Sequence, residues 1–257
     1  MVKAKRSEKT GVVAFDFDGV IGDSVKECYV QSLAAYGGEH SAVLEKKFRE
    51  ARPLITVVEH FYTVMRMIKE KPSTDFSRMT QEHFFREHEK DTAKAAEFKD
   101  RFYNQRREMQ EMTPQKWRAL QGAFPRMAGF IKEVQRKNHV YIATTKDKKS
   151  VMELLKSYGV NIPEENILSR DFSKKKNEQL HEIMRRSGFP PHKVLLIEDS
   201  LEQILNARKL GIKTMMVPWG YSNRSQVKEA KRKKVPIIKT TRRDIMRIGR
   251  NLRRTPK

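Results

Sequence analysis

The chain has 257 residues, a formal charge of +22 at pH 7, 38% hydrophobic residues and a mean hydropathy of −0.74. No apolar run approaches the roughly 18 residues that cross a bilayer, and no apolar segment joins Lys3, Lys5, Arg6 and Lys9 to the first strand. A cytoplasmic chain with no membrane span and no secretory leader is therefore expected. The single cysteine, Cys28, excludes an internal disulfide and reads as a packing residue.

The first predicted element is Val12-Val13-Ala14-Phe15, a short apolar run that reads as a buried strand of a parallel sheet. It climbs into Asp16-Phe17-Asp18-Gly19. Ligands of open α/β sheets bind at the carboxyl ends of strands, where Asp16 and Asp18 fall, and Gly19 permits a tight turn or a close backbone approach. One carboxylate there can attack phosphorus and a second can shuttle a proton. Two neighbouring carboxylates also call for a cation, and magnesium, a hard ion taking oxygen ligands, suits them.

From Val25 the periodicity becomes helical. Val25, Tyr29, Leu33 and Tyr36 recur on one face and stop at Gly37-Gly38. Further helices are predicted over 41–51, over 54–70 with Val57 and Val58 in its apolar face, and over the charged stretch 80–112 with Phe84, Phe85, Phe98, Phe102 and Met109 buried. Nothing between 25 and about 115 reads as a strand.

Alternation then returns. A helix over 127–137 leads to the strand Val140–Ala143 and to Thr144-Thr145-Lys146, where a hydroxyl can donate to a phosphoryl oxygen. A helix over 148–158, a strand over 166–168, the lysine run Lys174-Lys175-Lys176, a second acid-ended strand Val194-Leu195-Leu196-Ile197-Glu198-Asp199, a helix over 201–210 and a strand over 214–218 follow. The fold class is α/β: a Rossmann-like, mostly parallel sheet with helices on both faces, plus an all-helical subdomain. Residues 1–24 and 115–222 form its discontinuous core, 25–114 the helical insertion and 223–257 a basic extension.

Asp16-Phe-Asp18-Gly19-Val20-Ile21-Gly22-Asp23-Ser24, followed in order by Thr144, a lysine and Glu198-Asp199, resembles the four motifs of the haloacid dehalogenase-like (HAD) hydrolases, phosphatase branch. The resemblance implies that Asp16 is the nucleophile of an aspartyl-phosphate mechanism and Asp18 the acid and base. It gives Thr144, with Thr145 adjacent, as the phosphate-binding hydroxyl, and Lys176, with Lys174 as the alternative, as the phosphate-binding lysine. Magnesium would be held by Asp16, Asp18, Asp199 and Glu198. The helical insertion would be a cap that closes on a small phosphorylated substrate, with Arg49 and Arg52 as candidate substrate contacts. Sugar phosphates, phosphoglycolate and nucleotides all fit this reading, as does phosphomutase chemistry.

The extension is the other signal. From Arg224 to Lys257 fourteen cations face only Glu229 and Asp244. Such density attracts polyanions, so an alternative is a phosphatase of nucleic-acid ends, or a nucleic-acid-binding protein built on the HAD scaffold. Ile237, Ile238, Ile245, Met246, Ile248 and Leu252 argue that parts of this segment pack or fold.

Overall fold

In a computed structural model the described residues are 9–253; Lys3, Lys5, Arg6, Arg254 and Lys257 lie outside them. They divide into two compact units, one of residues 9–23 with 123–253 and one of Ser24–Gly122.

The Ser24–Gly122 unit is helical: α1 (Val25–Tyr36), α2 (Ala42–Ala51), α3 (Glu59–Glu70), α4 (Gln81–Glu89), α5 (Thr92–Met112) and α6 (Pro114–Ala119). Gly37 ends α1 in the left-handed conformation, φ 79°, as the glycine pair predicts. Aromatic rings form the interior, with Phe48 stacked on Phe61 at 5.2 Å and Phe61 on Phe102 at 5.4 Å. Across from them the fully buried Glu27 accepts from Arg106 Nε at 2.7 Å and Nη2 at 2.6 Å, while the guanidinium lies 4.6 Å from the Phe102 ring centroid.

Two predicted helices change shape. The 54–70 helix starts only at Glu59, because His60 Nδ1 accepts the Thr56 N–H and holds a turn; Val57 is left 49% exposed. The 80–112 helix breaks at Asp91, whose backbone leaves the helical region (φ −155°) and whose carboxylate accepts from Tyr62 Oη at 2.8 Å. The break leaves Phe85 38% exposed rather than buried.

The other unit holds β1 (Val12–Phe15), the two-residue strand β2 (Gly22–Asp23), and, after β3 (Gly122–Ala123) at the sequence boundary between the units, β4 (His139–Ala143), β5 (Ile167–Leu168), β6 (Val194–Glu198) and β7 (Lys213–Met216). Its helices are α7 (Met127–Gln135), α8 (Lys148–Ser157), α9 (Lys176–Ser187), α10 (Leu201–Lys209), α11 (Arg224–Arg232) and α12 (Arg242–Arg253). The sheet is five-stranded and parallel, in the order β5-β4-β1-β6-β7. β1 is central, and the chain fills one side with β4 and β5 before crossing to β6 and β7. The switch point therefore lies between β1 and β6.

Alternation along β1 sends Val12 and Ala14 to one face with Leu180 and Ile183 of α9 and Ala207 of α10. Phe15 meets Phe130 of α7 edge-on at 6.4 Å on the other. The basic segment folds onto this unit. Ala230 and Val235 pack with Ile204 and Met216, Ile237 bridges to Met216, and Ile248 and Leu252 of α12 are buried. Among the described residues no helix is long and apolar enough to cross a membrane.

Removing the cation from the Glu27–Arg106 pair leaves a buried carboxylate without its counter-charge. Arg106→Met should therefore destabilise the helical unit by about 3–5 kcal/mol, read by chemical denaturation. A loss below about 1 kcal/mol would show that Glu27 has relaxed to water.

Candidate active site

The register of the sheet builds the site. Phe15 pairs with Ile197, so Asp16 and Glu198, the next residues on adjacent parallel strands, emerge side by side at the switch point. Asp16 N–H still donates to Ile197 O at 3.0 Å, which extends the ladder one residue into the site. Asp199 follows Glu198, and one carboxylate oxygen from each of Asp16, Glu198 and Asp199 lies within 4.8 Å of the others. All three residues are buried.

The third edge is Lys176, the first residue of α9. Its Nζ sits 2.7 Å from Asp16 Oδ1 and 3.1 Å from Glu198 Oε2, and donates to Ala143 O at 2.5 Å. Of the three consecutive lysines, Lys174 and Lys175 are exposed, and Lys175 pairs with Glu178 at 3.0 Å. The fallback Lys174 thus lies on the surface, because the α9 periodicity turns Lys176, Gln179, Leu180 and Ile183 inward together.

Burial and Glu198 push the Asp16 carboxyl up to about 7, against the pull of Lys176. Burial likewise pushes Glu198 up to about 7, opposed by Lys176 and aided by Asp199. Burial disfavours the Lys176 ammonium, but Asp16 and Glu198 outweigh it and raise its pKa. Three acids around a single ammonium are short of positive charge. Their oxygen-only donor set fits a hard divalent ion such as magnesium.

Thr144, at the end of β4, is buried, and its hydroxyl accepts the Lys146 N–H at 3.2 Å; Thr145 is exposed. Asp18 is half-buried, with Lys146 Nζ 3.2 Å from its Oδ1. Arg49 and Arg52 belong to the helical unit: Arg49 is exposed near the end of α2, and Arg52 Nη1 donates to Ile55 O at 2.9 Å.

Several residues that shape the site carry no role in the sequence reading. Lys146 stands beside Thr144 and Thr145, yet only the fold shows that it reaches Asp18. Gln179 Nε2 bridges Thr144 O at 2.8 Å and Ser173 O at 2.7 Å, tying β4 to α9. The loop after β7 wraps Asp199: Tyr221 N–H donates to its Oδ2 at 2.5 Å, and the Ser222 hydroxyl donates to its carbonyl. Gly19, at φ 89°, and Gly220 both lie where an added methyl would collide with Asp199. The Pro218-Trp219-Gly220 turn signal soon after the strand is what could have marked this loop.

Among curated proteins no sequence matches this chain. Solved structures share its fold at low identity. A haloacid dehalogenase-like family protein from Streptococcus pneumoniae is 16% identical with TM-score 0.59, covering 90% of this chain and 94% of its own. A predicted phosphoglycolate phosphatase from Haemophilus somnus is 15% identical with TM-score 0.63, covering 96% and 99%. A predicted phosphatase from Clostridium acetobutylicum is 12% identical with TM-score 0.58, covering 94% and 99%. The profile of haloacid dehalogenase-like hydrolases matches residues 10–211, the span that carries Asp16, Lys176, Glu198 and Asp199. By that match over most of its length, on a sheet whose switch point gathers these acids, the chain belongs to the haloacid dehalogenase-like hydrolases.

Proposed function

We propose that this protein is a magnesium-dependent phosphomonoester hydrolase that works through an aspartyl-phosphate on Asp16. The observation that carries the reading is the convergence of Asp16, Glu198 and Asp199 within 4.8 Å, with Lys176 against Asp16. The phosphatase names of the Haemophilus somnus and Clostridium acetobutylicum structures, which share the fold, support the same chemistry.

Asp16, Asp199 and Glu198, with the backbone carbonyl of Asp18, would hold magnesium, which when bound neutralises charge on the phosphoryl oxygens and the attacking carboxylate. A carboxylate oxygen of Asp16 attacks phosphorus, and the bond from phosphorus to the ester oxygen breaks. Asp18, entering as the acid, gives its proton to the departing oxygen. As carboxylate, Asp18 then takes a proton from the water that attacks phosphorus, and the bond to Asp16 breaks, regenerating the enzyme. The Thr144 hydroxyl and the Lys176 ammonium hold the phosphoryl oxygens, and Lys146 keeps the Asp18 carboxylate in place. The helical unit Ser24–Gly122, inserted in sequence after the Asp16 segment, serves as the cap that selects the leaving group, a small phosphorylated metabolite in the simplest case.

Asp16→Asn keeps the shape of the site and removes the nucleophile. Its magnesium-dependent hydrolysis of p-nitrophenyl phosphate should fall on the order of 10³-fold or more with an unchanged circular dichroism spectrum. Retained turnover would exclude Asp16 as the attacking group.

The raised carboxyls give a second expectation. Between the ordinary values of 3.8 and 4.5 and the folded values of about 7, the unfolded chain has released protons that the folded, metal-free site keeps. Stability of the metal-free protein should therefore fall as pH rises from about 4 to about 7, then level off. Magnesium competes with those protons, so its effect on Tm should be small near pH 5 and larger near pH 8. An equal rise at both would remove Asp16 and Glu198 from the ligand set.

A further inference from the structure

Past Asp199 the loop of Tyr221 and Ser222 leads directly into α11, and beside it opens a cleft of about 320 Å³. Ser222, Asn223 and Val227 line it together with Arg224, Lys228 and Lys231. These cations stand at i, i+4 and i+7, on one face of the helix, over about 10 Å at 1.5 Å per residue. All three are exposed, and no carboxylate among the described residues pairs with them. Glu229 of the same helix is taken by Arg232 at 2.6 Å and Lys233 at 3.4 Å.

The cations are not what attaches the helix. Ala230 and the half-buried Val227 pack α11 onto Ile204, Met216 and Val235, and Arg208 donates to the carbonyls of Lys233 and Lys234 just beyond its end. A reciprocal capping box between Asn223 and Gln226 fixes its first turn, so Arg224 is set at the rim before any ligand arrives. Aligned, unpaired positive charges repel one another unless an anion lies along them.

We propose that α11 is the track for a single strand of nucleic acid whose terminal phosphate is the group hydrolysed at Asp16. The substrate class is then a 5′- or 3′-phosphorylated oligonucleotide; the proposal rests on the phosphatase reading above. One additional phosphate would engage one or two of these cations. A line of three along one helix face matches a backbone that repeats its phosphates. α12 is as basic but sits at the other end of the sheet. Its Leu252 packs on Gly11, ahead of β1, whereas Asp16 lies beyond the carboxyl end of that strand. Five residues of strand, about 16 Å at 3.3 Å each, separate the two.

The test compares the wild type with two variants in magnesium. One carries Arg224→Gln, Lys228→Gln and Lys231→Gln; the other carries Arg242→Gln, Arg243→Gln and Arg250→Gln on α12. The substrates are p-nitrophenyl phosphate, a nucleoside 3′,5′-bisphosphate and terminally phosphorylated single strands of about twelve nucleotides. The α11 variant should lose at least about tenfold more kcat/KM on the strands than on p-nitrophenyl phosphate, while the α12 variant keeps the wild-type rate on the strands. The log–log salt dependence of strand binding should become shallower by about 2 in the α11 variant, at about 0.7 per phosphate contact.

A wild type that hydrolyses p-nitrophenyl phosphate but not the strands overturns the proposal. So does a bisphosphate rate equal to the strand rate with the same sensitivity to α11, which would mean a site for one extra phosphate. Vesicles of anionic phospholipid that bind through α11 while strand hydrolysis is unaffected overturn it too. A wild type inactive on every ester overturns the phosphatase reading instead, and strand binding measured by fluorescence anisotropy still reports on α11.

Discussion

The central constraint of this molecule is an electrostatic shortfall: three buried carboxylates, Asp16, Glu198 and Asp199, gathered around one ammonium, Lys176. Burial penalises the charges of Asp16, Glu198 and Lys176, Glu198 raises the proton affinity of Asp16, and Asp199 raises that of Glu198. The folded site therefore demands either protons or a divalent cation. Sheet, loop and helix start each bear on how that demand is met. The parallel register sets Asp16 beside Glu198, and α9 delivers Lys176 from across β4. Gln179 ties the same helix to the β4 end through Thr144 O.

Around Asp199 the packing leaves no room for side chains. Gly19 turns with positive φ against its carboxylate, and Gly220 approaches it from the loop after β7. That loop spends a backbone N–H and a hydroxyl on Asp199, which fixes the acid's direction. The same short segment becomes α11 two residues later. The position of the basic helix is thus coupled to the position of the acid, so the C-terminal segment is continuous with the site.

Charge is arranged oppositely inside and outside. The interior of the site is acidic; the surface of the C-terminal helices is basic and faces few acids. Asp244, one of them, is buried and spent locally, its Oδ2 accepting from Thr241 Oγ1 at 2.7 Å and from the Lys239 N–H at 3.0 Å. Apolar residues such as Ile248 and Leu252 hold α12 on the unit, while Arg242, Arg243 and Arg250 are exposed. Attachment and charge are therefore carried by different faces of one helix.

The strands of the five-stranded sheet were legible as short apolar runs, three of them ended by a change of chemistry: acids after Phe15 and Ile197, hydroxyls after Ala143. Local order alone was enough for an α/β class, for Asp16, Asp18, Thr144, Glu198 and Asp199 as candidates, and for the family resemblance. The helix breaks at Asp91 and Thr56 were not legible, because each depends on a partner, Tyr62 or His60, that local periodicity does not weigh. Lys176 was the sequence's first choice, but leaving its alternative Lys174 on the surface, bringing Lys146 to Asp18 and closing Gly220 on Asp199 waited for the tertiary structure. A lysine's role is set by what its ammonium faces, and a glycine's by what would collide with a side chain there. Both are properties of distance in space, which only the packed strands and helices supply.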